Sequence, residues 1–561
     1  MVVGPKLSIT NVEGKGRISI RRLQHLTIQK KRSVIGISYG ILLVIISIIM
    51  AAINPLELVT NWILNMKEGS FLYKIFESPP YDIYSEIWVY NFTNVPEFLS
   101  GNEKALKVQE VGPFTYREDR TNENITTDDD KGTMTMRPKL KLRFVRDLSI
   151  SDPNETMLTI PNVPLIALST AGADKFGYHI NTAAYYSLKF LGSKIFKNLT
   201  VEEYLWGYKD SLVTVANKLL PGWIDFGTLG LIDRMYAQKD DVIEVELKNS
   251  SNKYSIQTWN GLPGLREQGY TDFNSSIPCN RLQNTYEGLM VTPNLPKEKI
   301  LPIFRRQACR VYPFVYKEEL TENYGYKYYR YELADTAFSK SSEYACKCTY
   351  NCLPEGFVDI SKCYYGFPIA LSKLHYADVD PVQQSYFEGM VPNPKADRSY
   401  MDVEPTIGAP LSFAIKIQAN IAVRMSPGNT LTKPLKDKVI PLFWLNIYSK
   451  QPPSDVRTLL KLRLTVAPPA IIVIEILLFI GGILLTIQAI YRIYRPRYKV
   501  VQPKEIEMKR RKSTERRRSS ILLNVVENAG FKFDTDFEKE AVSLLDTCDD
   551  DLEELDLIVS D

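Results

Sequence analysis

Six cysteines, Cys279, Cys309, Cys346, Cys348, Cys352 and Cys363, are the residues whose type and spacing most directly imply chemistry. Thiols in this number either oxidise in pairs or ligate zinc. Cys346-Lys-Cys348 and Cys352 lie close together, but structural zinc sites use paired C-x₂₋₄-C knuckles, and oxidising compartments favour disulfides. Six Asn-x-Ser/Thr sequons, at Asn91, Asn124, Asn154, Asn198, Asn249 and Asn274, mark the same stretch for lumenal glycosylation. Disulfides are therefore expected over zinc, and six cysteines permit fifteen pairings among which the residues alone do not choose. No metal or cofactor is implied. Hydrolytic chemistry is disfavoured as well, because histidine is nearly absent: His25, His179 and His375 are the full set. No G-x-S-x-G elbow, P-loop or H-E-x-x-H occurs. His179 invites a role in sensing acid, with a satisfied structural histidine as the plainer reading. An enzyme is not expected, nor is a nucleic-acid partner.

These signatures sit between two long apolar runs, Ser33–Ile53 and Leu464–Ile490. A membrane-spanning helix needs roughly 20 apolar residues to cross about 30 Å of hydrocarbon, and both runs supply that length. A cleaved signal peptide has a shorter core of about 7–15 residues. Here the first run follows a stretch carrying Lys15, Arg17, Arg21, Arg22, Lys30, Lys31 and Arg32, so a retained anchor is expected. Arg492, Arg495, Arg497 and Lys499 give the second run a basic flank too, which places both termini in the cytosol. The expected order is a cytoplasmic tail (1–32), a span (33–53), a glycosylated, disulfide-bonded ectodomain (54–463), a second span (464–490) and a cytoplasmic tail (491–561). Glu475 interrupts the second span, and a carboxyl there calls for a partner such as Ser38, Tyr39 or Ser47 of the first. Gly481-Gly482 would permit close helix packing.

The ectodomain shows no repeat and no Gly/Ser-rich linker, so one large domain is expected. Asp241–Leu247 alternates as a strand does, and in Phe413–Val423 the residues Ile415, Ile417, Ala419, Ile421 and Val423 share one face. Tyr324–Tyr331 adds aromatic β propensity. Between Asn181 and Leu219 the pattern turns helical. Ala183–Ile195 is one candidate, and Thr200-Val-Glu-Glu203 reads as a capping box opening a second, with Tyr204, Leu205, Tyr208, Leu212 and Val215 at helical spacing. The fold class is α+β with a predominantly antiparallel sheet.

At Glu110-Val-Gly-Pro-Phe-Thr-Tyr-Arg117 the chain resembles the class B scavenger receptor family, and the resemblance continues in order. It runs through Leu205-Trp-Gly-Tyr-Lys-Asp210, Cys309-Arg-Val-Tyr, Cys346-Lys-Cys348 and Phe357-Val-Asp-Ile-Ser-Lys-Cys363. His375-Tyr-Ala-Asp378, Met401-Asp-Val-Glu-Pro405 and Val439-Ile-Pro-Leu-Phe-Trp-Leu445 complete it, so it covers both spans and all between them. The resemblance implies a flattened antiparallel β-barrel with a helical apex and a hydrophobic tunnel that delivers lipid toward the membrane. It also implies the pairings Cys279–Cys346, Cys309–Cys363 and Cys348–Cys352. The apical helices would be Ala183–Phe196 and the one after Thr200, with Lys189, Lys194 and Lys197 as basic residues for anionic ligands. Lys194 matches a lysine of the lysosomal member, whereas Phe190 stands where the fatty acid translocase has a ligand-binding lysine. The implied partners are lipids or lipoprotein-type ligands, and a homo-oligomer is compatible with the family. A sorting receptor for a soluble lumenal protein cargo is the alternative. A trimeric ion-channel subunit, which also has two spans around a cysteine-bearing ectodomain, fits the motifs less well.

The C-terminal tail is first basic, Lys509–Arg518, with Ser513, Ser519 and Ser520 nearby, and then acidic. Such a basic stretch is suited to anionic inner-leaflet lipid, and serine phosphorylation would weaken that contact. No cysteine lies near either span, and Cys548 is far down the tail, so juxtamembrane acylation is not expected. Glu540 with Leu544-Leu545 and Glu553 with Leu557-Ile558 match the acidic dileucine pattern that clathrin adaptors read. Cycling through the plasma membrane, endosomes and lysosomes follows as an expectation. Alanine replacement of both aliphatic pairs should trap the protein at the cell surface; unchanged vesicular staining would refute the assignment.

Overall fold

The computed structural model describes residues 13–494, apart from positions 176, 220–223, 225, 238–239, 249 and 324. The chain divides into two compact units, residues 1–46 with 478–561 and residues 47–477. Two helices are long and apolar enough to cross a membrane, over Lys31–Ile53 and Ser454–Tyr494, with mean hydropathies of 2.6 and 2.8. The first belongs to a helix over Glu13–Ile53.

In the first unit the two helices meet through small residues. A methyl group added to Gly40 would sit 2.6 Å from the Gly482 carbonyl oxygen, and one added to Gly36 would sit 3.1 Å from Ala489 Cβ. This is Gly36-x-x-x-Gly40 acting as a close-approach face. Of the expected Gly481-Gly482 pair only Gly482 takes part, because nothing approaches Gly481. In the second unit Ser47 Oγ donates to the Glu475 backbone carbonyl at 3.0 Å, so it is the main chain and not the carboxyl that Ser47 satisfies. The second long helix contains a π-helical turn at Leu462–Val466, immediately before Pro468 and Pro469. Proline lacks the N–H that would continue the ordinary ladder, and the widened turn accommodates that loss.

The rest of the second unit is built on strands. β1 (Ile83–Phe92), β2 (Leu106–Asp128) and β3 (Thr133–Phe144) form a meander. β4 (Met157–Pro161) and β5 (Phe196–Thr200) pair only with each other. β6 (Ile243–Glu246) and β7 (Ile256–Trp259) extend the sheet beyond β3. β8 (Leu301–Arg305), β9 (Arg310–Thr321) and β10 (Lys327–Leu333) make a second meander. β11 (Val358–Asp359), β12 (Ile369–Ser372) and β13 (Phe387–Glu388) are short additions. β14 (Tyr400–Glu404), β15 (Ala409–Ala422) and β16 (Val439–Ser449) join the two meanders, since β16 pairs with β1 and β14 with β10. The order β7-β6-β3-β2-β1-β16-β15-β14-β10-β9-β8 runs through a 14-stranded sheet. Its ladders are antiparallel except β13 on β2.

Free edges at β7 and β8 would leave backbone groups unpaired, and one short segment serves both. Ile256 N donates to Thr285 O at 2.6 Å, while Tyr286 N donates to Pro302 O at 2.8 Å and Phe304 N to Tyr286 O at 2.9 Å. Asn284–Tyr286 therefore bridges the two edges into a barrel-like ring.

Strand β15 shows how alternation is used. Ile415, Ala419, Ile421 and Val423 are buried on one face as expected. The opposite face is buried as well, but polar: Gln418 and Asn420 are fully covered. Tyr90 donates to Gln418 Oε1 at 2.8 Å, Gln418 donates to Asn420 Oδ1 at 2.8 Å, and Asn420 donates to Ser372 Oγ at 3.0 Å. The helical region differs from expectation in its bounds. The first helix covers Tyr178–Phe190 and stops before Gly192, which takes a φ of +65°, so Ala183–Ile195 and Ala183–Phe196 both overrun it. The Thr200–Glu203 capping box is present, but its helix ends at Trp206 because Gly207 turns the chain at φ +137°, and Ser211–Leu219 is a separate helix. Tyr286 is fully buried and its backbone closes the ring. Tyr286→Ala should cost about 3–5 kcal/mol, the range for deleting a buried aromatic ring. Thermal unfolding of the solubilised protein should show it as a drop of several degrees.

Candidate functional site

The alternating face of β15 lines an apolar interior. Ile415, Ile417 and Ala419, with Leu445 and Ile447 of β16 and Leu371 of β12, surround a cavity of about 30 Å³. A second cavity of about 30 Å³ lies against Phe226, Leu231, Phe367, Leu442 and Phe443. Met235 and Ala419 line both, so the two cavities adjoin. Each is about 30 Å³, far smaller than an acyl chain.

A half-buried cation stands beside these cavities. Arg305, the last residue of β8, lines the Ile415 cavity together with a third cavity of about 40 Å³ whose walls include Arg120, Asn122 and Glu287. Arg120 Nη2 is 3.3 Å from Glu287 Oε1. Glu118 accepts from Ser85 Oγ at 2.6 Å and from Tyr236 Oη at 3.2 Å. Arg305 is placed otherwise: its Nε is buried without an acceptor, and its guanidinium carbon stands 6.0 Å from the centre of the Phe413 ring. Burial pushes its pKa down to about 10, with repulsion from Arg120 adding to the fall and Glu118 and Glu287 opposing it. It remains a cation at neutral pH.

Helices over Val163–Lys175, Tyr178–Phe190 and Ser211–Leu219 pack through Leu165, Leu188 and Leu212, while the short helix Val201–Trp206 buries Val201, Tyr204 and Leu205 in the main core. The three lysines expected there have different surroundings. Lys189 is exposed in the last turn of its helix, 5.7 Å from the Tyr185 ring centre. Lys194 is exposed in the connection to β5, where its carbonyl accepts from Asn162 Nδ2 at 2.8 Å. Lys197 lies on β5 and is tied to Asp210, whose side chain is fully buried, so its charge is already matched. Phe190 is 92% exposed, and Tyr178, Ile180 and Tyr186 of the same helix are exposed too. This exposed aromatic surface was not singled out from the sequence, although the run Tyr178–Phe190 carries it.

The six cysteines are joined as Cys279–Cys346, Cys309–Cys363 and Cys348–Cys352. Among the described residues no group of three or more His, Cys, Asp or Glu side chains is arranged to hold a metal ion. Asn124, Asn154, Asn198 and Asn274 are exposed. Asn91 is half-buried on β1, its Oδ1 accepting from Thr159 N at 2.9 Å. Asn249 and the tail residues Glu540, Leu544, Leu545, Glu553, Leu557 and Ile558 lie outside the described residues. His179 is exposed, 5.7 Å from the Tyr178 ring centre. Of His179 and His375, the latter has built surroundings. Its Nε2 is 2.7 Å from Glu110 Oε1 and its Nδ1 is 2.8 Å from Asp397 Oδ2, with Trp444 edge-on at 5.8 Å.

The model of the CD36 family matches residues 37–493. Scavenger receptor class B member 1 of Bos taurus is 26% identical over 464 residues, which cover 82% of this chain and 88% of that protein. The Mus musculus protein of the same name is 28% identical over 411 residues, covering 72% and 78%. Lysosome membrane protein 2 of Homo sapiens is 27% identical over 423 residues, covering 74% and 85%.

The His375 clamp has a pH signature. Burial works against its charge, but the hydrogen bonds and attraction from Glu110 and Asp397 outweigh burial and raise its pKa above the ordinary value. A raised folded-state pKa gives stability that is complete below the unfolded value of about 6.5 and fades as pH climbs through the folded value. His375→Gln should therefore lower the melting temperature more near pH ~5.5 than near pH ~8.5. An equal loss at both would show that the ion pairs contribute nothing.

Proposed function

The chain belongs to the CD36 family and is a class B scavenger receptor-like membrane protein with two spans, and from that premise we propose that it captures lipid or lipoprotein ligands at the helical region and passes lipid through the ectodomain interior. The observation that carries this reading is the pair of apolar cavities joined at Met235 and Ala419. Transfer through water would strip an acyl chain of its hydrophobic stabilisation, about 0.8 kcal/mol per CH₂, and an apolar path avoids most of that cost. The exposed Tyr178, Tyr186 and Phe190, with Lys189 and Lys194 nearby, offer a surface that is both apolar and basic, suited to a particle coated with anionic amphipaths. Lys197 is the weaker candidate, because Asp210 holds it.

In this reading the glycosylated, disulfide-bonded ectodomain faces the lumen or the cell exterior and both tails are cytosolic. The dileucine patterns then take the protein between the plasma membrane and endolysosomes. A cargo-sorting receptor is the second reading, favoured by the exposed aromatic helix and by likeness to a protein named for the lysosome membrane. Ala419→Trp separates the two. It fills the junction of the cavities at a stability cost of about 1–3 kcal/mol. Transfer of a fluorescent lipid ester from lipoprotein to cells should stop while particle binding at the cell surface persists. Undiminished transfer would move the lipid route elsewhere, and co-purification of a stoichiometric soluble protein would favour the sorting reading.

A further inference from the structure

The helix Pro55–Ile63 begins two residues after the first membrane helix ends, with only Asn54, at φ +50°, between them. At about 100° per residue its side chains fall into three sectors. Leu56, Thr60 and Ile63 are half-buried, and Glu57 and Asn61 make an exposed polar side. The third sector is apolar and open: Leu58 is 55%, Val59 50% and Trp62 75% exposed. The helix is nevertheless tied to the ectodomain. Arg463 Nε donates to Thr60 Oγ1, Tyr254 Oη donates to the Leu64 carbonyl at 3.4 Å, and Met66 is buried with Leu72 and Phe76. Its height follows from a second contact. Ser47 Oγ reaches the Glu475 carbonyl at 3.0 Å, so those two residues are level. At about 1.5 Å per residue, Ile53 stands about 9 Å beyond that level and Arg463 about 18 Å. Glu475 itself is roughly 3 Å from the middle of the apolar run Leu464–Ile490. The helix therefore lies between about 12 and 21 Å from the middle, astride the edge of the hydrocarbon at about 15 Å.

We propose that the Pro55–Ile63 helix is an interfacial foot: Leu58, Val59 and Trp62 insert into the leaflet on the ectodomain side and hold the ectodomain against the bilayer. The lipid surface is the partner because the stripe continues directly from the span and sits at headgroup depth. An indole is well placed there, with its apolar body among acyl chains and its N–H among polar groups. Interfacial helices usually add lysine or arginine for anionic lipid. This helix carries Glu57 and no basic residue, so its contact rests on apolar burial and is indifferent to headgroup charge. Its attachments at Thr60, Leu64 and Met66 pass the contact on to the barrel. The foot thereby sets how the ectodomain leans on the membrane, which two flexible tethers alone would leave free.

The test uses tryptophan emission of the full-length protein in phosphatidylcholine nanodiscs whose acyl chains are brominated near the headgroup or near the terminus. The Trp62 component is the difference between wild type and Trp62→Phe. Shallow bromines should quench it about twofold or more beyond deep ones, as expected for a side chain about 5–10 Å below the surface. Adding phosphatidylserine should leave that quenching unchanged. Quenching by aqueous acrylamide and not by bromine would put the stripe in water and overturn the proposal. Quenching by neither would mean that protein, such as a second copy of this chain, covers the stripe, and would overturn it equally. Quenching seen only with phosphatidylserine would assign the contact to charge and also overturn it. A second reading comes from an environment-sensitive dye on Val59→Cys in a Cys548→Ser background, whose emission should shift to the blue in the discs. Emission as in water overturns the proposal even if Trp62→Phe does not fold.

Discussion

A sheet that encloses a dry interior has to satisfy every backbone group along its two edges. Here that requirement falls on three residues. Asn284–Tyr286 pairs with β7 on one side and β8 on the other, and so turns an open sheet into a ring. Everything inside depends on this closure. Without it the inward faces of β15 and β16 would be one wet surface of a twisted sheet, and neither the apolar cavities nor the buried charges beside them would be sheltered from water.

The two faces of β15 show the same constraint used twice. Inward, Ile415, Ile417 and Ala419 supply a wall with no polar atoms. Outward, Gln418 and Asn420 would be costly orphans, and they are buried only because Tyr90, Ser372 and the His375 main chain complete their hydrogen bonds. His375 N donates to Gln418 Oε1 at 2.8 Å, so the histidine held between Glu110 and Asp397 also supports the outer layer of the barrel wall. The backbone there is specialised, with His375 at φ +53° and Tyr376 at +60°. Strain of that kind persists where surrounding bonds over-determine it.

Much of this was legible in the chain. Period-two alternation in Phe413–Val423 identified the face that lines the cavities, because the signal is local and the strand is long. Thr200–Glu203 was legible as a capping box for the same reason. What stayed hidden was long-range. Arg305 looks ordinary beside Arg306, and only the sheet order brings it to Arg120 and Glu118 on β2 and to Glu287 in the connection before β8. Lys197 was grouped with Lys189 and Lys194 by proximity in sequence, whereas its partner Asp210 lies thirteen positions further on and fully buried. The helix ending at Phe190 was overrun because apolar spacing continues through Ile195, although Gly192 carried the stop signal. Gly36-x-x-x-Gly40 is an equally local motif, and it is the one that meets Gly482 and Ala489.

Met235 would give the proposed lipid route a property that a pore of fixed bore lacks. It lines both apolar cavities, and it is an unbranched side chain with three rotatable bonds set among aromatic and branched residues. A junction with about one water's room at rest opens only when that chain changes rotamer and its neighbours yield. On the proposed lipid route, throughput would then follow how often that side chain and its neighbours yield. Such a route would work as a turnstile, admitting a chain only when the junction yields.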